Sequence, residues 1–267
     1  MKILYFCTTW GQKNEGWEAF CKKVRQEGYD GIETSFPLED EKQEFLDSLQ
    51  KYKLACIAQH WETTTADFDA HKTEYTERIR SLTSLKPLLI NAHTGKDHFS
   101  FTQNSELLDI AEEIAAETGV PICHETHRGR FAFAAHITRS YLENSHLDLT
   151  LDVSHWCCVA ESLLNDQTES LNMALDRTRH IHARVGFEQG PQVPDFTLPQ
   201  FEGALKFHLN CWDKVVHNSK HSGKSQLTIT TEFGPPPYMQ GFSQEDSGSK
   251  QWKLNADMMN MLKDRYS

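Results

Sequence analysis

Three stretches decide the architecture: Leu147-Asp148-Leu149-Thr150-Leu151-Asp152, His180-Ile181-His182-Ala183-Arg184 and Leu227-Thr228-Ile229-Thr230-Thr231-Glu232. In each, residues of contrasting character alternate with period two, the pattern of a strand whose faces meet different surroundings. Leu147, Leu149, Leu151 and Val153 share one face, leaving Asp148, Thr150 and Asp152 on the other. Ile181, Ala183 and Val185 oppose His180, His182 and Arg184, while Leu227, Ile229 and Thr231 oppose Thr228, Thr230 and Glu232. The apolar faces belong under helices. The polar faces enter an enclosed space and carry a ligand-capable residue at or near the C-terminal end. Pro121–Glu125 repeats the pattern more weakly: Pro121, Cys123 and Glu125 share a face, and His124 lies with Ile122.

Outward from these four, short strand-like runs alternate with amphipathic stretches along the chain, the signature of βα units feeding a parallel sheet. The other strands read as Ile3–Thr8, Gly31–Ser35, Leu54–His60 and Leu88–His93, so the total is eight, enough to close a (β/α)8 TIM barrel. Helices are expected at Gly16–Glu27, Lys42–Lys51, Tyr75–Leu85, Glu106–Thr118, Leu163–Thr178, Phe201–Val216 and Gln251–Arg265. Gly28 and Gly119 read as C-caps, and Asn104 or Ser105 as the cap of the fourth helix. Two stretches break the rhythm: Gly186–Pro199, with the composition of a lid, and Gln240–Lys250, rich in Ser, Gly and charge. No composition shift divides the chain, so residues 1–267 are expected to form one domain.

The composition fits a globular protein, with 38% hydrophobic and 24% charged residues. The formal net charge of −11 disfavours polyanionic partners such as nucleic acid. Seven cysteines, odd in number and without a CxxC pair, read as reduced thiols rather than a disulfide framework. The apolar start at Met1–Cys7 is too short for a signal peptide and reads as a strand, and no run reaches membrane-spanning length. A cytoplasmic protein is the expectation.

The inward residues at the strand ends form an acidic and imidazole ring: Glu125, Asp152, His182 and Glu232, with Glu33, His60 and His93 from the earlier strands. Carboxylates crowded into a water-poor space raise one another's pKa, and a divalent cation resolves that conflict. Three carboxylates and one imidazole suit Mn²⁺, Zn²⁺, Co²⁺ or Mg²⁺ with little discrimination. Trp10, Phe36, Trp61 and Trp156 follow strand ends and are placed to wall a sugar site; Arg128 and Arg130 offer guanidinium groups to a phosphate or carboxylate. His71, His217 and His221 read as surface residues.

The motifs YDGIETS around Glu33, HETHRGR around Glu125, LTLDVSHW with Asp152 and His155, HIHARVG with His182 and TTEFGP with Glu232 resemble the xylose isomerase-like barrel superfamily. That group includes sugar isomerases and epimerases and endonuclease IV, and the likeness covers nearly the whole chain. The resemblance implies one divalent metal held by Glu125, Asp152, His182 and Glu232, with Glu125 and Glu232 also acting as the acid/base pair. It places His155 and Arg184 on substrate oxygens, beside Glu33, His60, His93, Trp10 and Arg128, and offers His155 and His93 as ligands of an additional metal. Arg184 departs from the epimerase pattern, in which the substrate-binding arginine lies further along the loop.

The expected activity is a metal-dependent sugar or sugar-phosphate isomerase or epimerase, moving a proton next to a carbonyl through an enediolate. The partner is then a small sugar or sugar phosphate, with self-association into a homo-oligomer open. One alternative is a zinc phosphodiesterase resembling endonuclease IV, whose ligand order is matched by His60, His93, Glu125, Asp152, His155, His182 and Glu232; Thr197 stands where its Asp-x-His pair needs histidine after Asp195. The other is a barrel that binds metal or carbohydrate without turnover.

Overall fold

The computed structural model describes residues 1–13, 15–35, 40–239 and 244–267. Phe36 and the first part of Gln240–Lys250 lie outside them. Eight parallel strands close a barrel in chain order: β1 Lys2–Thr8, β2 Gly31–Thr34, β3 Ala55–His60, β4 Ile90–Ala92, β5 Ile122–Glu125, β6 Asp148–Leu151, β7 Thr178–Ala183 and β8 Gln226–Thr231, with β8 paired to β1. Around them run α1 Trp17–Glu27, α2 Lys42–Tyr52, α3 Phe68–Thr83, α4 Phe101–Thr118, α5 Ala135–Asn144, α6 Val153–Ala160, α7 Thr168–Arg177, α8 Glu202–His221 and α9 Gln244–Tyr266. The expected (β/α)8 barrel is therefore the observed one.

Alternation sorts the core into two shells. Outward residues Leu149, Leu151, Ile181, Ala183, Leu227 and Ile229 join the large cluster beneath the helices. Leu4, Phe6, Ile57, Leu89 and Cys123 form a separate cluster that fills the lower lumen. Phe6 needs the space that Gly31 leaves, because a Cβ at position 31 would lie 2.3 Å from its ring and 2.5 Å from the Ala55 carbonyl. Above this apolar plug the lumen turns polar, with Glu33, Asn91, His180, Thr228 and Thr230 all buried. A plug below and a polar layer above leave the upper mouth as the place for chemistry.

Gly28 and Gly119 do end α1 and α4 in left-handed conformation. The cap of α4 is Ser100, not Asn104 or Ser105. Its hydroxyl accepts from Gln103 N while the Gln103 side chain accepts from Ser100 N, a reciprocal pair that starts the helix five residues before Glu106. Asn104 is buried instead and joins Lys96 and Phe99 by hydrogen bonds. The sequence reading assigned no helix to α5 or α6. α5 lacks a side-chain cap, and α6 is only 8 residues long and begins directly after Asp152. The expected Leu163–Thr178 helix shortens to α7, since Leu164 adopts a left-handed φ of 57° and Thr178 already pairs in β7.

The Gly186–Pro199 loop is anchored. Val193 and Phe196 are buried, Val193 N donates to Val185 O, and Gln192 exchanges two hydrogen bonds with the backbone of Gly234. All seven cysteines are free, and five are buried. Among the described residues no helix is long and apolar enough to cross a membrane. His217 and His221 are exposed as expected. His71 is not: its ring is fully buried against Phe99, with Nδ1 2.9 Å from Thr65 O.

Candidate metal centre and active site

The last residue of β5, the penultimate residue of β7 and the residues just past β6 and β8 bring Glu125, His182, Asp152 and Glu232 together. One donor atom from each lies within 4.8 Å of all the others, and all four side chains are buried. His182 Nδ1 is 2.9 Å from Glu232 Oε2 and 3.6 Å from Glu125 Oε2. It makes no hydrogen bond of proper geometry despite its burial, as a nitrogen placed for a cation does. The donor set therefore fits a divalent ion. Burial lowers the His182 pKa, but Glu232, Glu33 and Glu125 outweigh it and hold the ring well above its usual value, so in the metal-free protein a proton carries the positive charge.

Each carboxylate has its own counterweight. Burial pushes Glu125 up, yet His93, His182 and His127 hold it well below the usual carboxylate range. His93 Nε2 lies 2.7 Å from Glu125 Oε2, and Asn91 Nδ2 donates to the same oxygen at 2.8 Å. Asp152 is raised by burial and by Glu125 and Glu232, although Arg184 Nη2 bonds directly to its Oδ2. Its other oxygen accepts from Ser154 N at 3.1 Å and from the Ser154 hydroxyl, capping α6. Glu232 receives Gln59 Nε2 at 3.3 Å.

Beneath the four donors sits Glu33, with every oxygen engaged. Oε1 lies 2.9 Å from His182 Nε2 and accepts from Asn91 at 3.0 Å; Oε2 lies 3.0 Å from His180 Nε2 and accepts from the Thr230 hydroxyl. Burial raises its pKa, but His182 and His180 overcome this and hold it far below the normal value. Facing an acceptor-only carboxylate, His182 would keep the proton on Nε2 when an ion is bound, leaving Nδ1 for the cluster. Glu33 was expected to touch substrate; it instead supports His182 from below and does not line the mouth.

Above the donors opens a cavity of about 440 Å³, walled by Trp10, Trp61, Tyr238, His93, His127 and Arg184 among others. Trp10 and His93 thus lie where the sequence put them. His60 does not. Ile57 and Gln59 take the inward positions of β3, so His60 turns outward, against Tyr75, with Nε2 2.8 Å from Thr63 Oγ1. Arg184 pairs with Asp152 and lies 3.7 Å from Glu232. His155 is fully buried with Nε2 2.8 Å from Arg184 Nη2, and burial, His127 and Arg184 keep its ring neutral; it belongs to none of the donor groups among the described residues. His93, Glu125 and His127 do form a further group of donors. Arg128 donates to the Tyr238 hydroxyl at 3.0 Å outside the cavity wall, and Glu62 is paired with Arg78. Trp156 is core, its indole donating to Ala132 O. Gln59, Asn91, His127 and Tyr238 were missed; extending the period-two reading to β3 and β4 finds the first two.

No protein-family model matches the chain, and no curated protein matches it in sequence. Solved structures do match in fold. A 3-keto-D-glucoside 4-epimerase from E. coli superposes with a TM-score of 0.62 at 14% identity, over 98% of this chain and 99% of the other. Endonuclease IV from Thermus thermophilus gives 0.61 at 11% identity, over 97% and 99%. A xylose isomerase-like TIM barrel protein from Mycobacterium smegmatis in complex with magnesium gives 0.59 at 10%, over 96% and 97%. The molecule is thus a closed (β/α)8 barrel with a carboxylate and imidazole cluster at its mouth. In particular, its fold is similar to that of solved xylose isomerase-like TIM barrel proteins, the group its motifs resemble.

Proposed function

We propose that the protein is a divalent-metal-dependent isomerase or epimerase of a sugar or sugar phosphate. The observation that carries this is the convergence of Glu125, Asp152, His182 and Glu232 within 4.8 Å beneath an open cavity. Those four residues would hold the ion; once bound, it supplies Lewis acidity toward adjacent oxygens of the substrate. Glu125 is ionised and stands with Glu232 at the floor of the cavity. Either carboxylate takes the proton from the carbon next to the carbonyl. The other returns it, to the opposite face for an epimer or to the neighbouring carbon for an aldose–ketose isomer. Gln59 and His93 orient the two carboxylates, and Arg184 bonds to Asp152 and opposes the rise that burial imposes on its pKa. The 3-keto-sugar epimerase among the structural matches agrees with this reading.

The test is solvent exchange. Metal-loaded protein incubated in deuterated water with keto sugars, sugar phosphates and hydroxypyruvate is expected to label one of them, and Glu232→Gln to reduce labelling by at least about 10²-fold. Undiminished labelling by the variant removes Glu232 from the reaction, and no labelling of any compound removes the proposal. The phosphodiesterase reading loses support at His60, whose ring faces away from the mouth.

A further inference from the structure

We infer that the substrate is an uncharged sugar, free of a phosphate ester, seated against an aromatic rim formed by Trp61 and Trp10. This builds on the sugar-site reading above and narrows its substrate class. Trp61 is 50% exposed, unusual for an indole. It is nonetheless fixed: Nε1 donates to Ser35 Oγ at 2.5 Å, its N donates to Glu62 at 2.9 Å, and its O accepts from Arg130 at 2.7 Å. Trp10 stands edge-on to Tyr238, with centroids 5.0 Å apart, and Gln251 holds its carbonyl at 2.8 Å. Gly234 makes room for it, since a Cβ there would lie 2.3 Å from the indole. A fixed indole that stays half in water, as Trp61 does, is a platform for the C–H face of a sugar ring, and Trp10, held by Tyr238, extends the same wall of the cavity; the order of both is established before binding.

The charges of the wall point the same way. Among the described residues lining the cavity the only cationic side chains besides histidine are Arg130 and Arg184. Arg130 donates to the carbonyls of Trp61, Thr63 and His93, at 2.7, 2.7 and 3.2 Å. Arg184 is committed to Asp152, with Nε on Ser154 Oγ at 3.3 Å. Arg128, which the sequence offered to a phosphate, is turned to Tyr238. The stretches at 36–39 and 240–243 bring no Lys or Arg. A phosphate dianion, carrying about −1.5 to −2 charges, would enter beside Glu125 and Glu232 without a free guanidinium or ammonium to receive it.

Calorimetry on the full-length, Mn²⁺-loaded protein tests this with matched pairs: D-fructose against D-fructose 6-phosphate, and D-xylulose against D-xylulose 5-phosphate, with inorganic phosphate as competitor. The neutral member of a pair is expected to bind at least about tenfold more tightly, phosphate not to compete, and Trp61→Ala to lose about tenfold in sugar affinity at unchanged Mn²⁺ affinity. Tighter binding of an ester, displacement by phosphate, absence of binding by either neutral sugar, or full sugar affinity in Trp61→Ala would each overturn the inference. A neutral sugar that binds without deuterium exchange overturns the isomerase reading and leaves this one standing.

Discussion

At the scale of single residues, the site depends on His182 presenting one nitrogen upward and the other to Glu33, 2.9 Å below. Glu33→Gln replaces an obligate acceptor with a group that can also donate, so metal affinity is expected to fall about 10- to 100-fold in calorimetry while the fold persists. His182 also sets a pH dependence. Its pKa in the metal-free protein is held well above 6.5 by Glu232, Glu33 and Glu125 against burial, so its contribution to metal-free stability is complete below pH 6.5 and is lost as pH rises through the elevated value. A cation must displace that proton. Metal affinity is therefore expected to rise with pH, and titrations in buffers of different ionisation enthalpy to show about one proton released per ion bound. Pairings of this kind explain what the sequence concealed. Alternation placed Glu125, Asp152, His182 and Glu232 correctly because β5 to β8 carry clean or nearly clean period-two signals. In β3 the terminal His60 attracted the assignment by its chemistry, while Ile57 in the lumen forces Gln59 inward and His60 out.

At the scale of elements, eight strands were legible because each is a short run between turn residues, and seven of the helices because their apolar residues recur three or four apart. α5 escaped because it has neither a side-chain cap nor an acidic first turn, and α6 because it is a two-turn helix with five of its eight residues buried, too short to show a polar face. α4 exposes the energetic side of a missed boundary. Removing the hydroxyl in Ser100→Ala breaks the reciprocal cap, and denaturant unfolding should report a loss of about 1 kcal/mol. Ser100 bonds to Gln103 and to none of the four donors, so metal affinity should be unchanged. The Gly186–Pro199 segment read as a lid from its length and its glycines and prolines; buried Val193 and Phe196, invisible to composition, pin it to the barrel.

For the whole molecule, buried neutral histidines predict acid lability. His124 and His208 are fully buried, and desolvation lowers both pKa values from 6.5 to about 4. An unfolded chain takes up these protons first as pH falls, so the stability they represent is complete above pH 6.5 and is lost between 6.5 and 4, on the order of 3 kcal/mol for each. Urea midpoints that stay level from pH 7 to pH 4.5 would contradict this. Across the lumen, Asn91 of β4 and Glu33 of β2 reach His182 of β7, and Asn91 also donates to Glu125 on the neighbouring β5. The proposed proton-transfer chemistry thereby rests on side chains at the strand ends, whereas Trp10, Trp61 and Tyr238 come from the segments that follow them. Grafting a different set of rim segments onto this barrel should hand the same reaction a new substrate, and in a lineage of such barrels selectivity would drift faster than chemistry.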